Sequence, residues 1–94
     1  MRTFKDLTVW QKSIELVLYI YSVTDKFPST EVYGLTSQMR RAAVSIASNI
    51  AEGYSRNSTK EFIQFLAVAL GSCSEIETQV EISKKLAYLD EESD

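Results

Sequence analysis

Apolar residues recur every three or four positions along most of this chain, which is the spacing of one face of an α-helix. The pattern predicts three helices, at about residues 7–27, 31–54 and 59–88. Acidic residues, which favour the first turn of a helix, then predict the start of a fourth helix from about residue 90. The expected fold is all-α, with one domain over residues 1–94. It is an antiparallel up-and-down four-helix bundle, with three helices present and the fourth truncated after its first turn.

Residues with strong positional preferences mark the ends of these helices. Pro28 ends the first helix, because the residue before a proline is disfavoured in helical geometry. Ser29 or Thr30 is expected to cap the second helix, and Gly53 to close it in the left-handed conformation. Residues 58–61, Ser-Thr-Lys-Glu, form a capping-box sequence that starts the third helix.

The second helix is expected to carry two different faces. Six residues form an apolar stripe for the core: Leu35, Met39, Ala42, Ala43, Ile46 and Ile50. A polar seam runs beside this stripe: Arg41, Ser45, Asn49, Glu52 and Gly53. Polar groups next to a core need hydrogen-bond partners, so the seam is interpreted mainly as structural. Asn49 is expected to bond to a neighbouring helix or loop.

Glu52 is expected to pair with Arg41, with Arg56 or with the start of the third helix. A carboxylate close to an apolar stripe is costly to bury without such a partner. The alternative interpretation of the seam is a functional site.

The first half of the third helix is apolar on nearly all sides. Its large apolar residues are Phe62, Ile63, Phe65, Val68 and Leu70. Such a helix must be covered on more than one face, which a short chain can scarcely do alone. These residues therefore predict a subunit interface in a homo-oligomer. The alternative is a central helix covered by its own neighbours.

Charge is unevenly distributed along the chain. The 10 basic and 13 acidic residues give a net charge of −3, but four acidic residues lie in the last five positions. Within residues 35–60, four basic residues oppose Glu52 alone, a local charge of 4 − 1 = +3. Seven basic residues are candidates for phosphate contacts: Arg40, Arg41, Arg56, Lys60, Arg2, Lys5 and Lys12. The alternative is solvated charges and ion pairs, such as Glu52 with Arg56 four residues later.

Catalysis finds little support in the sequence. The chain has no histidine, which excludes Ser-His, Cys-His and His-metal arrangements. Cys73 lies on the apolar stripe of the third helix and is interpreted as a small buried side chain. Glu75, Glu77 and Glu81 are interpreted as a solvated face rather than a metal site. We expect no enzymatic activity, no catalytic or metal-binding residue and no cofactor.

The distribution of apolar residues also argues against a membrane location. No apolar run approaches the roughly 20 residues of a membrane span, because Glu15 and Gln64 interrupt the longest ones. The N-terminal residues do not have the pattern of a signal peptide, and a single cysteine cannot form an internal disulfide. A cytoplasmic protein without membrane contact is expected.

One sequence string resembles a known bacterial family. The string is Gln38-x-Arg40-Arg41-Ala42-Ala43-x-Ser45-Ile46-x-x-Asn49-Ile50-Ala51-Glu52-Gly53, followed by Arg56 and Phe62. The opening Phe4-x-x-Leu7-x-Val9-Trp10-Gln11-Lys12 and the pair Phe27-Pro28 match as well. The chain resembles the four-helix-bundle proteins encoded in intervening sequences of 23S ribosomal RNA genes. More distantly, it is similar to the accessory variability determinants of diversity-generating retroelements.

The resemblance implies an up-and-down four-helix bundle that assembles as a ring, typically a pentamer, without known catalysis. In the retroelement branch it implies binding to nucleic acid and to a reverse transcriptase. The leading hypothesis is a non-catalytic oligomeric helical bundle that binds RNA or DNA or serves as an accessory scaffold. The alternative is a protein-interaction ring that docks a partner protein and has no intrinsic affinity for nucleic acid.

Overall fold

Three α-helices make up the fold in a computed structural model that describes residues 3–90. They are α1 (Thr8–Thr24), α2 (Leu35–Ser55) and α3 (Thr59–Lys85). Short 3-10 turns at Phe4–Asp6 and Ser29–Glu31 precede α1 and α2. Within residues 3–90 no strand occurs, so the predicted all-α class is confirmed. The predicted fourth helix falls mostly on residues outside the described ones, and Asp90 itself is not helical.

Helix α2 lies between the other two helices. It runs antiparallel to α3, because contacts join Met39 to Ser83 near one end and Ser45 to Ser72 further along. No Cα atom of α1 comes within 8 Å of a Cα atom of α3. The two outer helices therefore flank α2, and the side of the molecule opposite α2 carries no helix among residues 3–90.

The core lies where the three helices converge. Its buried residues are Ile20, Phe27, Met39, Ala42, Ala43, Ile46, Ile50, Ala69 and Ile76. All six predicted stripe residues of α2 belong to this core or pack against it. The buried alanines permit a neighbouring helix to approach closely, because their side chains are small.

The loop between α1 and α2 differs from the prediction. Helix α1 ends at Thr24, not near residue 27, and Phe27 turns back into the core. Ser29 and Thr30 form part of a 3-10 turn and do not cap α2. The carboxylate of Glu31 takes that role, since its Oε1 accepts a hydrogen bond from the Leu35 N–H at 2.9 Å. A glutamate four residues before the first helical residue was not recognised as a cap from the sequence.

Gly53 does not close α2 in the left-handed conformation, which corrects the prediction. The helix continues to Ser55, and among residues 3–90 no glycine has a positive φ. Gly53 instead permits close packing, because a Cβ atom at this position would lie 2.6 Å from the Cβ of Phe65. The glycine is needed for the space it leaves and not for its backbone freedom.

Helix α3 begins as predicted but ends earlier. Ser58 Oγ accepts a hydrogen bond from the Glu61 N–H at 3.2 Å, which is one of the two bonds of a capping box. The helix ends at Lys85, where Ala87 adopts a left-handed φ of 63°. The Tyr88 N–H then donates to the Ser83 carbonyl at 2.9 Å, as in a Schellman motif.

This turn returns Tyr88 to the core. Its ring lies 5.3 Å from that of Phe27, and its hydroxyl donates to Glu31 Oε2 at 2.9 Å. The Leu35 N–H and the Tyr88 hydroxyl both lower the pKa of Glu31, and the same hydrogen bond to Glu31 raises the pKa of Tyr88. Glu31 therefore connects the end of α3 to the start of α2.

Candidate nucleic-acid interface

The structure separates the seven basic residues that were candidates for phosphate contacts. Arg2 lies outside the described residues. Of the other six, Arg40 and Arg56 are engaged by neighbouring side chains. The remaining four are exposed, and within residues 3–90 they form no ion pair: Arg41, Lys5, Lys12 and Lys60.

Arg40 is bound to the end of α1. Its Nε donates to Thr24 Oγ1 at 2.9 Å, and its Nη2 donates to the Tyr21 carbonyl at 3.4 Å. The guanidinium carbon lies 4.4 Å from the centre of the Tyr21 ring, and Nη2 lies 4.0 Å from Asp25 Oδ1. A cation near the last carbonyls of a helix also interacts favourably with its dipole. Arg40 therefore joins α2 to α1 and is a poor phosphate ligand.

Arg56 is neutralised at the corner between α2 and α3. Its Nη2 lies 2.8 Å from Glu52 Oε2, and its Nη1 lies 3.8 Å from Glu61 Oε1. Its guanidinium also lies 5.1 Å from the centre of the Phe65 ring. The predicted pairing of Glu52 with Arg56 is confirmed. This exposed pair contributes at most about 1 kcal/mol to stability, but it reduces the local positive charge.

The four unpaired cations do not form one compact cluster. Lys5 precedes α1 and Lys60 lies in the first turn of α3, so both are at the end of the bundle where α2 ends. Lys12 lies on α1, one helical turn or more from that end. Arg41 lies in the first half of α2. A nucleic-acid strand that contacts all four cations would have to run along the length of the bundle.

The polar seam of α2 has mainly internal partners. Asn49 Nδ2 donates to the Ser45 carbonyl at 2.8 Å and to Ser45 Oγ at 3.0 Å. Its predicted bond to a neighbouring helix is therefore wrong, because the amide bonds within its own helix. Ser45 makes the contact between helices instead, since its Oγ accepts a hydrogen bond from Ser72 Oγ of α3 at 3.2 Å.

A second polar seam on α3 faces the first one and was missed in the sequence. Its members are Ser72, Glu75 and Gln79, at spacings of three and four. Ser72 and Gln79 are buried, and Gln79 Oε1 has no hydrogen-bond partner. Polar residues three and four positions apart are the sequence signal that could have identified this face, as they identified the seam of α2.

The two seams enclose a small polar cleft between α2 and α3. Its volume is about 130 Å³, and it is lined by Gln38, Arg41, Ala42, Ser45, Ser72 and Glu75. This set is called the polar cleft below. Arg41 and Glu75 both line it, yet no ion pair within 4.0 Å joins them. The cleft therefore presents an unpaired guanidinium and an unpaired carboxylate.

The residues predicted for a subunit interface face different directions. Phe62 packs its ring 5.9 Å from that of Tyr54, and Phe65 packs on Gly53, so both face α2. Three of the predicted residues are more than half exposed: Ile63, Val68 and Leu70. Ile63 and Leu70 are seven residues apart and share one face, whereas Val68 lies on another.

The chemistry of the described residues is otherwise limited. Cys73 is half-buried and packs against the core. Residues 3–90 contain no group of three histidine, cysteine or carboxylate side chains placed to hold a metal ion. No helix in this part of the chain is long and apolar enough to cross a membrane.

The fold and the seams define a class, a small all-α protein whose central helix is joined to both neighbours through polar side chains. The sequence matches the family described as 23S rRNA-intervening sequence protein over residues 5–94. Because this match covers nearly the whole chain, the protein belongs to that family. The resemblance seen in the sequence is thus confirmed. No curated protein matches the chain.

Proposed function

We propose that this protein is a non-catalytic, oligomeric helical bundle that binds nucleic acid through phosphate contacts. The supporting observation is that four of the six described candidate cations stay exposed and unpaired: Arg41, Lys5, Lys12 and Lys60. Contacts to phosphate need positive charge but only loose geometry, so separated cations suffice. Membership of a family named for ribosomal RNA intervening sequences is consistent with this function.

Such binding depends on salt. Each phosphate neutralised on a single strand contributes about −0.7 to the slope of log K against log salt. Three or four contacts predict a slope of about −2 to −3. We expect fluorescence anisotropy with a labelled single-stranded RNA to show binding at about 50 mM salt that weakens roughly 20- to 50-fold at about 200 mM. The absence of binding at the lower salt concentration would contradict the proposal.

Single-site variants locate the contacts. Lys60→Gln is expected to weaken binding and make the salt slope less negative by about 0.7, because one phosphate contact is lost. Lys26→Gln is the matched control, since Lys26 is also an exposed lysine but lies at the opposite end of the bundle, beside Asp25. Equal effects of the two substitutions would show that net charge, and not position, governs the affinity.

Oligomerisation is the second part of the proposal. Ile63 and Leu70 are 60% and 68% exposed and lie on the same face of α3. A neighbouring subunit would cover this face. The pentameric ring implied by the family resemblance is the assembly we propose.

Light scattering tests the assembly. The protein is expected to have a mass several times 10.6 kDa. The double variant Ile63→Gln, Leu70→Gln is expected to shift the mass toward the monomer, because two polar side chains would be buried in the interface. Leu18→Gln on α1 is the control, since Leu18 is similarly exposed but lies on a different helix. A monomeric parent protein would refute the proposal.

A protein-docking scaffold is the second candidate function. It is favoured by an apolar cleft of about 270 Å³ on the outer side of α1 and α2. Its lining residues are Trp10, Ile14, Val17, Val44, Ala47, Ser48 and Ala51. Affinity purification in the presence of nuclease distinguishes the two functions, because a protein partner bound through this cleft would survive the treatment.

A four-helix bundle remains part of the proposed architecture. The support for it is the open side opposite α2, where no Cα atom of α1 lies within 8 Å of a Cα atom of α3. A fourth helix on that side would contact both of them and cover half-buried apolar residues such as Leu16 and Leu66.

A further inference from the structure

We propose that the polar cleft between α2 and α3 binds one unpaired guanine base of a single-stranded nucleic acid. The inference rests on the nucleic-acid binding proposed above and adds a base preference to it. It is based on the arrangement of unused hydrogen-bond donors and acceptors on the two walls of the cleft.

The packing of the two helices places Arg41 opposite Glu75. Ser45 and Ser72 are in hydrogen-bond contact at 3.2 Å, which fixes the relative position of the antiparallel helices. Arg41 lies about one turn before Ser45 on α2, and Glu75 lies about one turn after Ser72 on α3. Because the helices are antiparallel, both steps lead in the same direction along the pair. Both residues line the cleft, and no described residue forms an ion pair with either of them.

The α2 wall therefore offers donors. Arg41 has five N–H groups in a planar fork. Ser45 Oγ accepts hydrogen bonds from Asn49 and from Ser72, so its own proton is left to donate. The α3 wall offers acceptors, because the Glu75 carboxylate accepts hydrogen bonds and cannot donate them when ionised.

A matching ligand needs acceptors on one edge and donors on the adjacent edge. Guanine has this arrangement, with O6 and N7 as neighbouring acceptors and N1–H and the N2 amino group as neighbouring donors. Arginine bound to O6 and N7 through two hydrogen bonds is the commonest specific contact to guanine. Adenine places an amino group where guanine has O6, so it would present a donor to Arg41.

The size of the cleft restricts the ligand further. The cleft has a volume of only about 130 Å³. Small-molecule pockets usually start at about 300 Å³, so a whole nucleotide would not be enclosed. One base would enter while its sugar and phosphate stay outside. Both edges of the base must be free, which requires a single strand and excludes a duplex.

The test compares two short labelled RNAs that contain only uridine except for one central guanosine or adenosine. Fluorescence anisotropy is expected to give about tenfold tighter binding to the guanosine RNA, the discrimination typical of one good two-bond contact. Arg41→Lys is expected to remove this preference, since lysine keeps the charge but not the planar fork. Glu75→Gln is expected to reduce the preference without removing it, because the amide oxygen is a weaker acceptor than the carboxylate and the contact of Arg41 is kept.

Glu77→Gln is the matched control, because Glu77 is an exposed glutamate on α3 that does not line the cleft. It should leave the guanosine preference unchanged. Equal binding of the two RNAs would overturn the base preference and leave the proposed phosphate binding intact, whereas binding to neither would overturn both. A preference for guanosine that survives Arg41→Lys unchanged would exclude this cleft as the site.

Discussion

Gly53→Ala should destabilise the protein by about 1–3 kcal/mol, the range for overpacking a well-filled core. The added Cβ would lie 2.6 Å from Phe65 Cβ and 3.0 Å from Phe62 Cδ1. The first of these atoms is attached directly to the backbone of α3, so the two helices must move apart. Alanine is favoured over glycine in a helix by up to about 1 kcal/mol, but this gain is smaller than the expected strain. Urea denaturation followed by circular dichroism measures the difference.

Gly71→Ala is expected to have the opposite effect on the stability of the protein. Gly71 is a helical glycine of α3, and a Cβ atom there would meet nothing within 4 Å. The substitution should stabilise the protein by about 0.5–1 kcal/mol, because only the helix preference changes. If Gly53→Ala stabilised the protein as much as Gly71→Ala, this result would contradict the close packing of α2 and α3 at Gly53.

Ile20→Ala should have a larger effect, a loss of about 2–5 kcal/mol in the free energy of unfolding. Ile20 is 2% exposed and is the apolar side chain of α1 that reaches deepest into the core. Helix α1 packs mainly on α2, since none of its Cα atoms lies within 8 Å of a Cα atom of α3, so few other contacts would compensate. For a small domain this loss is a large part of the total stability. Thermal and urea unfolding should both show it.

Ile82→Ala is the control for side-chain type. Ile82 is 43% exposed on α3, so little buried surface is lost and the change should stay below about 1 kcal/mol. If the two substitutions reduced the free energy of unfolding by similar amounts, Ile20 would not be part of a well-packed core.

Much of the fold was predictable because helical periodicity is a local property. The apolar stripe of α2 was predicted residue by residue; five of its six residues are buried in the core and Leu35 packs against it. The start of α3 was also predictable, since Ser58 caps a peptide N–H only three residues away. The helix ends that depend on distant residues were not predictable. Glu31 caps α2 while it binds Tyr88, which lies 57 residues further along the chain.

The candidate site was predicted less well, because charge in a sequence does not show which charges are paired. Arg40 and Arg41 are neighbours in sequence, but they point to different sides of α2. Arg40 is held by Thr24 and Tyr21 of α1, whereas Arg41 lines the polar cleft with Glu75. Adjacent positions on a helix are rotated by about 100°, so two arginines in a row have different neighbours.

By itself, the sequence determined that the chain is helical, where the apolar faces lie and which family it belongs to, because these depend on spacing and on residue identity. Only the tertiary structure decided what each polar residue does. Gly53 became a packing position because Phe65 lies against it, and Ser45 became a link between helices because Ser72 faces it. The physical reason is that a hydrogen bond or a steric contact is set by distances of a few ångströms between helices. Those distances follow from how the whole core packs.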